Sequence, residues 1–475
     1  MSTAPSLTVA ERASRVRFRR AMSLMVLTLF LPGSAQMIAG NRRVGWVALR
    51  IWGAVVGLGL IAAVMSLADH ETGFTLLANT SLLLFVRLLL MVGAIAWVAL
   101  FMDAWRLGQP LALQQRQRLA IVGVNGFLSL TTAAVMLFGA HVVGVQRDFL
   151  ITMFGDGASS AAHHGRYNVL LMGGDSGADR WGMRPDSMTV ASIDAETGRT
   201  VLISLPRNMQ NFPFRAGSVM DKQFPEGFNL EGQYLNGVST WAQDHTTLFK
   251  HSERAGVDAT VSAVEGITGL KMNYWAMVNL GGFRELVDAV GGVELNVRQP
   301  IPVGLPTDSY FHYIDPGTRK LTGQETLWFA RARYDSDDYS RMARQKCVMS
   351  AMLNQVSPQS ALTNFQAIAN ASSEMVSTSV PGSDVGRLMA LAVKAKGQPI
   401  TTLSLVPPMI NTAQPDIALV QRKVKESIAR AEGTLKAPVS RKSKRAKQQS
   451  VTGGSVGTLK DGYAANESDD LAASC

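Results

Sequence analysis

The chain has 475 residues, of which 47% are hydrophobic, and a formal net charge of +10. That length allows more than one domain, and the positive charge suits an anionic substrate or a membrane surface. Because no helix-turn-helix, zinc-finger or RNA-binding signature accompanies the charge, nucleic acid is not expected as a partner. The two cysteines, Cys347 and Cys475, indicate neither a disulfide framework nor a metal cluster, and Cys347 is expected to be a buried thiol.

A membrane region, 21–146, is predicted behind a basic tail, 1–20. Pro32 and Gly33 interrupt its first apolar segment, which predicts a re-entrant hairpin and leaves a fourth true span as the alternative. The other three segments are each long enough for a bilayer, which takes roughly 20 residues. The four apolar segments cover 21–39, 45–67, 80–102 and 119–145.

The distribution of lysine and arginine predicts the orientation of this region. Basic residues occur in the tail and in the segments 40–44 and 103–118, whereas the segment 68–73 has none. Since basic loops remain on the cytoplasmic side, the N-terminus is predicted to be cytoplasmic and the chain beyond residue 146 extracytoplasmic. The hairpin keeps every basic loop inside, whereas four spans would place the tail or one basic loop outside. The predicted localisation is a multi-pass position in the cell membrane.

A linker, 147–165, is predicted to lead into an α/β domain, 166–432, which is followed by a disordered polar tail, 433–475. Residues 209–236 are predicted to be irregular. Strands are predicted at 167–172, 186–193, 200–205, 293–297 and 401–405, and helices near 257–266, 283–290, 340–357, 382–396 and 412–432.

Two carboxylates flank the Gly-rich loop 173–185, with Asp175 near one edge and Asp186 just after the other. Strict alternation along the following strand places Asp186 on the same face as Met188. Arg207 stands just beyond the next strand, so a third strand before Asp175 would bring both acids and this arginine to a common rim. Carboxylates hold metal ions and arginines bind phosphate oxygens, so this stretch predicts a phosphate-handling site.

A second arginine-rich segment follows at 327–345. Its alternation predicts a strand on which Arg331 and Arg333 point the same way, which like charges resist unless an anion sits between them. Ordinary surface charge is the alternative for each residue alone, but the arrangement as a whole predicts an anion site. The helix that follows adds Arg341 and Gln345, one turn apart, with Asp338 just before it.

Several segments of this domain stand in a fixed order: NVLLMGGDSG, Arg184-Pro185-Asp186-Ser187-Met188, ISLPRN, NLGGFRELVDAVGGVEL, LTGQETLWFARAR and DYSRMARQ. At this spacing, they resemble the LytR-CpsA-Psr proteins, which attach glycopolymers to bacterial peptidoglycan. The resemblance covers about 167–355. The apolar segments around LPGSAQMIAGNRRVG resemble the multi-span anchors of some actinobacterial members.

The resemblance implies a mixed central β-sheet flanked by helices, with a hydrophobic pocket for a polyprenyl chain. It implies a transferase that attaches a polyprenyl-pyrophosphate-linked glycan to peptidoglycan through a phosphodiester bond, next to membrane lipid. It also implies a Mg²⁺ (or Mn²⁺) cofactor bound by Asp175 and Asp186. These two residues, together with Arg207 and Arg333, match the catalytic positions of the family. The pyrophosphate-binding positions match Arg184, Arg207, Arg331, Arg333, Arg341 and Gln345, and the supporting positions match Asp338 and Asn208.

One position departs from the family pattern, because Asn208 stands where the family usually has aspartate. If that acid only supports Arg207 or the fold, little changes; if it tunes the electrostatics of the site, activity or metal affinity falls. No Ser/His/Asp or Cys/His arrangement is present in the sequence, so a covalent intermediate is not expected. Two alternatives remain at this stage: a polyprenyl pyrophosphate phosphatase with water as acceptor, and a non-catalytic lipid-binding or regulatory membrane protein.

Overall fold

The computed structural model describes residues 9–154, 159–175, 184–250, 252, 254–333, 338–355, 376–435 and 475. By its internal contacts the chain divides into two compact units, Met1–Leu150 and Ile151–Cys475. The predicted tail, 433–475, lies outside the described residues except at 433–435 and Cys475.

The N-terminal unit is helical. Its helices are α1 Val9–Phe30, α2 Ser34–Ala39, α3 Arg42–Ala68, α4 His70–Ala78, α5 Thr80–Leu107 and α6 Gln115–Met153. Three of them are long and apolar enough to cross a membrane, namely α3, α5 with its continuation to Ala112, and α6. Apolar side chains along α3, such as Ile51 and Leu58, are exposed, as expected of a surface that bilayer hydrocarbon covers. Because α6 continues to Met153, the first part of the predicted linker is helical.

The chain reverses direction between α1 and α2. Gly33 has a φ of +95°, a left-handed conformation that glycine adopts without strain. On the incoming arm, Arg17 donates to the Ala112 carbonyl oxygen just beyond the end of α5. On the outgoing arm, Gly40 packs against the Leu107 side chain at that same end. The two arms therefore form a hairpin, whose re-entrant placement in a membrane stays a prediction.

A mixed six-stranded sheet organises the C-terminal unit. Its strands are β1 Arg166–Asp175, β2 Arg184–Asp194, β3 Thr200–Leu205, β4 Tyr274–Asn279, β9 Val376–Thr378 and β10 Thr401–Ser404, and the smaller strands are β5 Val293–Val297, β6 Ile301–Val303, β7 His312–Ile314 and β8 Gly317–Leu321. The order in the large sheet is β10-β3-β2-β1-β4-β9. Two neighbouring pairs, β1 with β4 and β10 with β3, are parallel, and the others are antiparallel. The predicted mixed sheet is confirmed.

Helices cover both faces of this sheet. They are α7 Val219–Gln223, α8 Val238–Asp244, α9 Ala255–Thr268, α10 Leu280–Ala289, α11 Gly323–Arg331, α12 Asp338–Gln355, α13 Gly382–Ala395 and α14 Ile417–Ala431. One face packs Leu170 and Val190 into the main core against α8, α9 and α14. The segment predicted as irregular, 209–236, contributes Phe212 and Phe228 to that core, both fully buried. The opposite face lies under α10, α11 and α12.

The predicted strand at 327–333 is wrong, because α11 occupies most of that segment. A capping box starts the helix: the Thr322 side chain accepts from the Glu325 backbone N–H, and the Glu325 side chain accepts from the Thr322 backbone N–H. In a helix, Leu327 and Arg331 lie one turn apart on one face. Residues two apart lie on nearly opposite sides of a helix, so the alternation does not mark one face of α11, and Arg333 lies beyond its end.

The expectation of a free thiol at Cys347 is also wrong. Cys347 forms a disulfide with Cys475, and the two residues are 128 positions apart in sequence. Cys347 is buried beside Val348 and Phe329 in a second hydrophobic cluster. Two cysteines without a spacing motif contain no local signal for pairing, so only the fold of the chain decides it.

Candidate functional site

A β-bulge directs Asp186 into the site. In the β1–β2 ladder Gly173 pairs with Ser187, but the next residue, Gly174, pairs with Pro185, which leaves Asp186 as the extra residue. A bulge breaks the alternation of a strand and changes the direction of a side chain. The predicted strict alternation from Asp186 to Met188 is therefore wrong: Met188 is buried in the main core, whereas Asp186 is among the residues that line a cavity at the other face of the sheet.

Arg207 and Asn236 hold the Asp186 carboxylate. Antiparallel pairing of Met188 with Leu205 brings the start of β2 and the end of β3 to one edge. There Arg207 Nη1 donates to Asp186 Oδ1 at 2.8 Å, and Asn236 Nδ2 donates to the same oxygen at 3.0 Å. The backbone N–H of Asn236 also donates to the Arg207 carbonyl oxygen at 3.1 Å. Sequence reasoning missed Asn236, since an Asn-Gly pair in an irregular segment signals only a turn.

Asp338, the first residue of α12, is shared by three arginines. Its Oδ2 accepts from Arg341 Nη2 at 3.1 Å, and its Oδ1 lies 3.5 Å from Arg207 Nε and 3.8 Å from Arg333 Nη1. Arg341 also donates to the backbone carbonyl oxygen of Asp186 at 3.3 Å. Because one carboxylate serves three guanidinium groups, the cluster carries a surplus of positive charge.

The pKa shifts of the cluster follow from burial and charge. Burial by itself raises the pKa of Asp186, but the hydrogen bond and charge of Arg207 lead the opposing effects, and that pKa is lowered. Burial lowers the pKa of Arg341; Asp338 opposes this, and the charges of Arg207 and Arg333 add to the decrease. Mutually repelling guanidinium groups beside an ionised carboxylate favour the binding of a further anion.

The turn that carries Arg331 and Arg333 is fastened to α12. Arg344 is fully buried, and it donates from Nε to the Phe329 carbonyl oxygen at 2.7 Å and from Nη2 to the Ala332 carbonyl oxygen. These bonds satisfy carbonyl groups at the C-terminal end of α11, where a positive charge is also favourable. The sequence contained no signal that distinguished Arg344 from its neighbours on α12.

Gln345 joins α12 to both the sheet and α11. Its Nε2 donates to the Ala330 carbonyl oxygen at 3.2 Å, and its Oε1 accepts from Ser187 Oγ at 3.1 Å. Gln345 thus fixes the spacing between β2 and the arginine-bearing turn. Ser187 is a second site residue that the sequence reading did not single out.

Part of this cluster lines a cavity of about 330 Å³ between the sheet and α10, α11 and α12, whereas Arg207 and Asp338 are not among its described lining residues. Arg331 and Arg333 lie in its wall together with Arg341, Gln345 and Asp186. Arg333 is half exposed, so it stands where the cavity opens to solvent, whereas Arg341 is buried. Most of the remaining wall is apolar and includes Ala276, Val278, Phe283, Leu286, Leu327, Val348 and Met352. The cavity therefore suits a molecule with an anionic head and a hydrocarbon tail.

For three predicted residues the described structure shows no side-chain contact with this cluster. Arg184 begins β2 and is exposed, and the described cavity wall does not include it. Asp175 ends β1 with its backbone paired to Arg184, and its side chain lies outside the described part of the chain. Asn208 Oδ1 is buried, with no hydrogen-bond partner among the described residues.

A divalent cation is compatible with the donor set. Asp186 lines the cavity, and Asp175 pairs with a residue two positions before Asp186. Mg²⁺ needs only one or two carboxylates when phosphate oxygens and water complete its shell. Within the described ranges, no group of three or more His, Cys, Asp or Glu residues is arranged to hold a metal ion.

Residues 150–431 match the LytR_cpsA_psr family. Among curated relatives, Biofilm regulatory protein A of Streptococcus mutans is 23% identical over 270 residues, which is 55% of this chain and 62% of that protein. The polyisoprenyl-teichoic acid–peptidoglycan teichoic acid transferase TagU of Bacillus cereus is 28% identical over 215 residues, or 45% of this chain and 60% of that protein. The matches thus span about three fifths of these relatives.

Solved structures of similar proteins include TagV of B. subtilis, with a TM-score of 0.41 and 22% identity, over 57% of this chain and 98% of that one. A structure of TagT bound to LI-WTA has a TM-score of 0.40 and 18% identity, over 59% of this chain and 97% of that one.

Proposed function

Because the chain belongs to the LytR-CpsA-Psr family, we propose that it transfers a glycopolymer from a polyprenyl pyrophosphate carrier to peptidoglycan through a phosphodiester bond. The observation that carries the proposal is the junction of an apolar cavity with an arginine-rich opening. A prenyl chain suits the apolar wall, and the pyrophosphate suits the arginines. The names of the relatives, which include teichoic acid transferases, support the same classes of donor and acceptor.

In the proposed reaction, a hydroxyl group of the peptidoglycan acceptor attacks the phosphorus atom that bears the glycan. A new P–O bond forms as the bond from that phosphorus to the bridging oxygen breaks, and polyprenyl phosphate leaves with the electron pair. Arg207, Arg333 and Arg341 neutralise the charge that develops on the phosphate oxygens. These three guanidinium groups are already close together before the substrate binds, because each of them lies next to the Asp338 carboxylate.

The hydroxyl proton needs an acceptor, and Asp175 is the proposed general base. Asp186 is less suitable, since Arg207 and Asn236 occupy one of its oxygens and its pKa is lowered. Asp175 and Asp186 are also the residues that would hold Mg²⁺ or Mn²⁺, and the ion when bound would supply further positive charge to the phosphate oxygens. Asn236 and Asp338 position the residues that contact the substrate.

We place the C-terminal unit on the extracytoplasmic side of the membrane, where a lipid-linked donor and peptidoglycan are both accessible. The bias of basic residues toward the tail and two of the interhelical segments supports this topology. The topology can be tested by introducing single cysteines at exposed positions and labelling them with a membrane-impermeant reagent. Protection of the C-terminal unit in intact cells would contradict the proposed orientation.

Incubation of the detergent-solubilised full chain with a polyprenyl pyrophosphate saccharide tests the activity, with and without peptidoglycan fragments. We expect a phosphodiester-linked product by mass spectrometry, and release of polyprenyl phosphate that depends on the acceptor. Release that is independent of peptidoglycan would instead indicate a phosphatase, and binding without turnover would indicate a non-catalytic protein. Chelation of divalent cations is expected to suppress transfer, and added Mg²⁺ is expected to restore it.

A further inference from the structure

The hairpin formed by β6 and β7, residues 301–314, presents aromatic side chains to solvent. Its inner side chains, which include Ile301 and Ile314, are buried in the second hydrophobic cluster. On the outside, Tyr310 is 53% exposed, Tyr313 is 40% exposed and Leu305 is 52% exposed. A fixed hairpin with an uncovered aromatic surface is the kind of feature that marks a binding site. We call Leu305, Tyr310 and Tyr313 the aromatic patch.

The rings of the patch are held in place before any ligand arrives. Tyr310 lies over the backbone of Gly304, since a Cβ at Gly304 would come within 2.9 Å of the tyrosine ring. Asp308 accepts the hydrogen bond of the Tyr310 hydroxyl, and it also accepts from the Leu305 backbone N–H at 2.7 Å. Phe311 packs edge-to-face on the Tyr313 ring at 5.2 Å. Preorganised rings lose little conformational entropy when a ligand packs on them.

The hairpin that carries the aromatic patch packs against the cavity wall, because β6 contacts α11, the helix that ends at Arg331. Arg331 is close enough to Tyr310 for its charge to act on the phenol, although the Asp308 hydrogen bond dominates and the pKa of Tyr310 is raised. Arg331 also lies over the Trp328 ring at 4.9 Å, and it lines the cavity. A ligand that extends from the cavity past Arg331 therefore lies close to the hairpin that carries Tyr310.

The proposed donor consists of a prenyl chain, a pyrophosphate and a saccharide, joined in that order. This order determines which of the three groups lies next to the aromatic patch. If the prenyl chain fills the apolar cavity and the pyrophosphate binds the arginines, then the group beyond the pyrophosphate is a saccharide. A pyranose ring presents a face of C–H groups, whose partial positive charge matches the negative face of an aromatic ring. The peptidoglycan acceptor, which must approach the same phosphorus atom, brings saccharides of the same chemistry.

We propose that the aromatic patch is a saccharide subsite at the cavity opening, used by the glycan of the donor or of the acceptor. The inference rests on the proposed function and adds to it a residue-level determinant of glycan binding. It assigns a role to Tyr310 and Tyr313 that is separate from pyrophosphate binding by the arginines.

The test compares the full chain in detergent micelles with the double variant Tyr310→Ala/Tyr313→Ala. The probes are geranylgeranyl pyrophosphate, which lacks a saccharide, a polyprenyl pyrophosphate disaccharide, and soluble glycan fragments of peptidoglycan. We expect the variant to bind one or both saccharide probes about tenfold more weakly and to bind geranylgeranyl pyrophosphate as the wild type does. Loss for the lipid-linked disaccharide identifies the donor glycan, and loss for the fragments identifies the acceptor.

The variant Tyr310→Phe/Tyr313→Phe is the matched control, because it keeps both rings and removes only the hydroxyl groups. It is expected to bind both saccharide probes as the wild type does. Unchanged binding of every probe by the alanine variant would overturn the inference while leaving the proposed function intact. Equal loss for geranylgeranyl pyrophosphate, or loss of binding to phosphatidylglycerol vesicles with normal saccharide binding, would overturn it in favour of a lipid contact. If the wild type fails to bind geranylgeranyl pyrophosphate, both the proposed function and the inference fail.

Discussion

Arg207 Nη1 and Asp186 Oδ1 are 2.8 Å apart across the open end of the β2–β3 hairpin. Only one guanidinium nitrogen is used in this contact, and Arg207 Nε lies near Asp338 at 3.5 Å. The pair therefore keeps a guanidinium group beside an ionised carboxylate whose residue lines the cavity. This arrangement joins the two halves of the site, the sheet edge and the start of α12.

Substitution Arg207→Ala is expected to lower kcat for transfer by about 100-fold or more, the usual cost of removing a donor that stabilises transition-state charge. Steady-state kinetics of the transfer reaction measure this decrease in kcat. Arg215→Ala is the matched control, because Arg215 Nη1 also lies 2.8 Å from a carboxylate, Glu265 Oε2, which is not one of the two carboxylates that Arg207 contacts. Equal activity of the two variants would contradict a role for Arg207 in the reaction.

Asn236→Ala removes one of the two hydrogen bonds that Asp186 Oδ1 accepts. Because Asn236 acts through Asp186, we expect kcat to fall about tenfold while the Kd for the lipid pyrophosphate changes little. The control is Asn211→Ala, in which the lost side-chain bond goes to the Ala413 carbonyl oxygen. A change in Kd alone would show that Asn236 contacts the substrate rather than positioning Asp186.

Arg344→Ala leaves the carbonyl groups of Phe329 and Ala332 without a buried donor. The expected loss of stability is about 2–4 kcal/mol, since each unsatisfied buried group costs about 1–3 kcal/mol. Thermal unfolding of the detergent-solubilised chain measures it. Arg344→Lys is expected to recover only part of the loss, because a single ammonium group does not reproduce the fork of arginine. If Arg344→Lys were as stable as the wild type, the two hydrogen bonds from Arg344 to the carbonyl oxygens would not account for the loss of stability.

The disulfide between Cys347 and Cys475 closes a long segment of chain. Cys347→Ser and Cys475→Ser are each expected to destabilise the protein by about 2–4 kcal/mol, because the open chain has more conformational freedom when unfolded. The double variant should match either single variant, and reduced wild type should match all three. Additive losses in the double variant would mean that the two sulfur atoms act separately.

Asp194 makes stability depend on pH through the turn between β2 and β3. Burial raises its pKa, but hydrogen bonds from Thr197 and Glu196 and the charge of Arg166 outweigh this effect, and the pKa is lowered. A lowered folded-state pKa contributes stability above the unfolded value of about 3.9 that is lost as the pH falls below it. The difference in melting temperature between wild type and Asp194→Asn is expected to be constant from about pH 5 to pH 8 and to shrink below about pH 4. A constant difference down to pH 3 would rule out this linkage.

Elements with strong local patterns were predictable. The strand at 200–205 has the bounds of β3, and the helix predicted at 382–396 corresponds to α13. Five polar residues of the cavity wall were also predicted, namely Asp186, Arg331, Arg333, Arg341 and Gln345, whereas its apolar residues were not singled out. The prediction of a strand at 327–333 failed because α11 buries both Leu327 and Phe329, so its apolar residues imitate the alternation of a strand, and the capping box at Thr322 was the signal that would have decided for a helix.

The sequence by itself determined which chemical groups are available, where the apolar segments lie and that strongly patterned segments such as 200–205 form strands, since these depend on composition and local periodicity. The tertiary structure alone decided how they combine. The bulge at Asp186 depends on the register of β1 against β2, and Asn236 reaches that carboxylate from a loop 50 positions away. The Cys347–Cys475 bond likewise requires the ends of a long segment to meet. Such contacts are set by packing between distant parts of the chain, which no local pattern of residues contains.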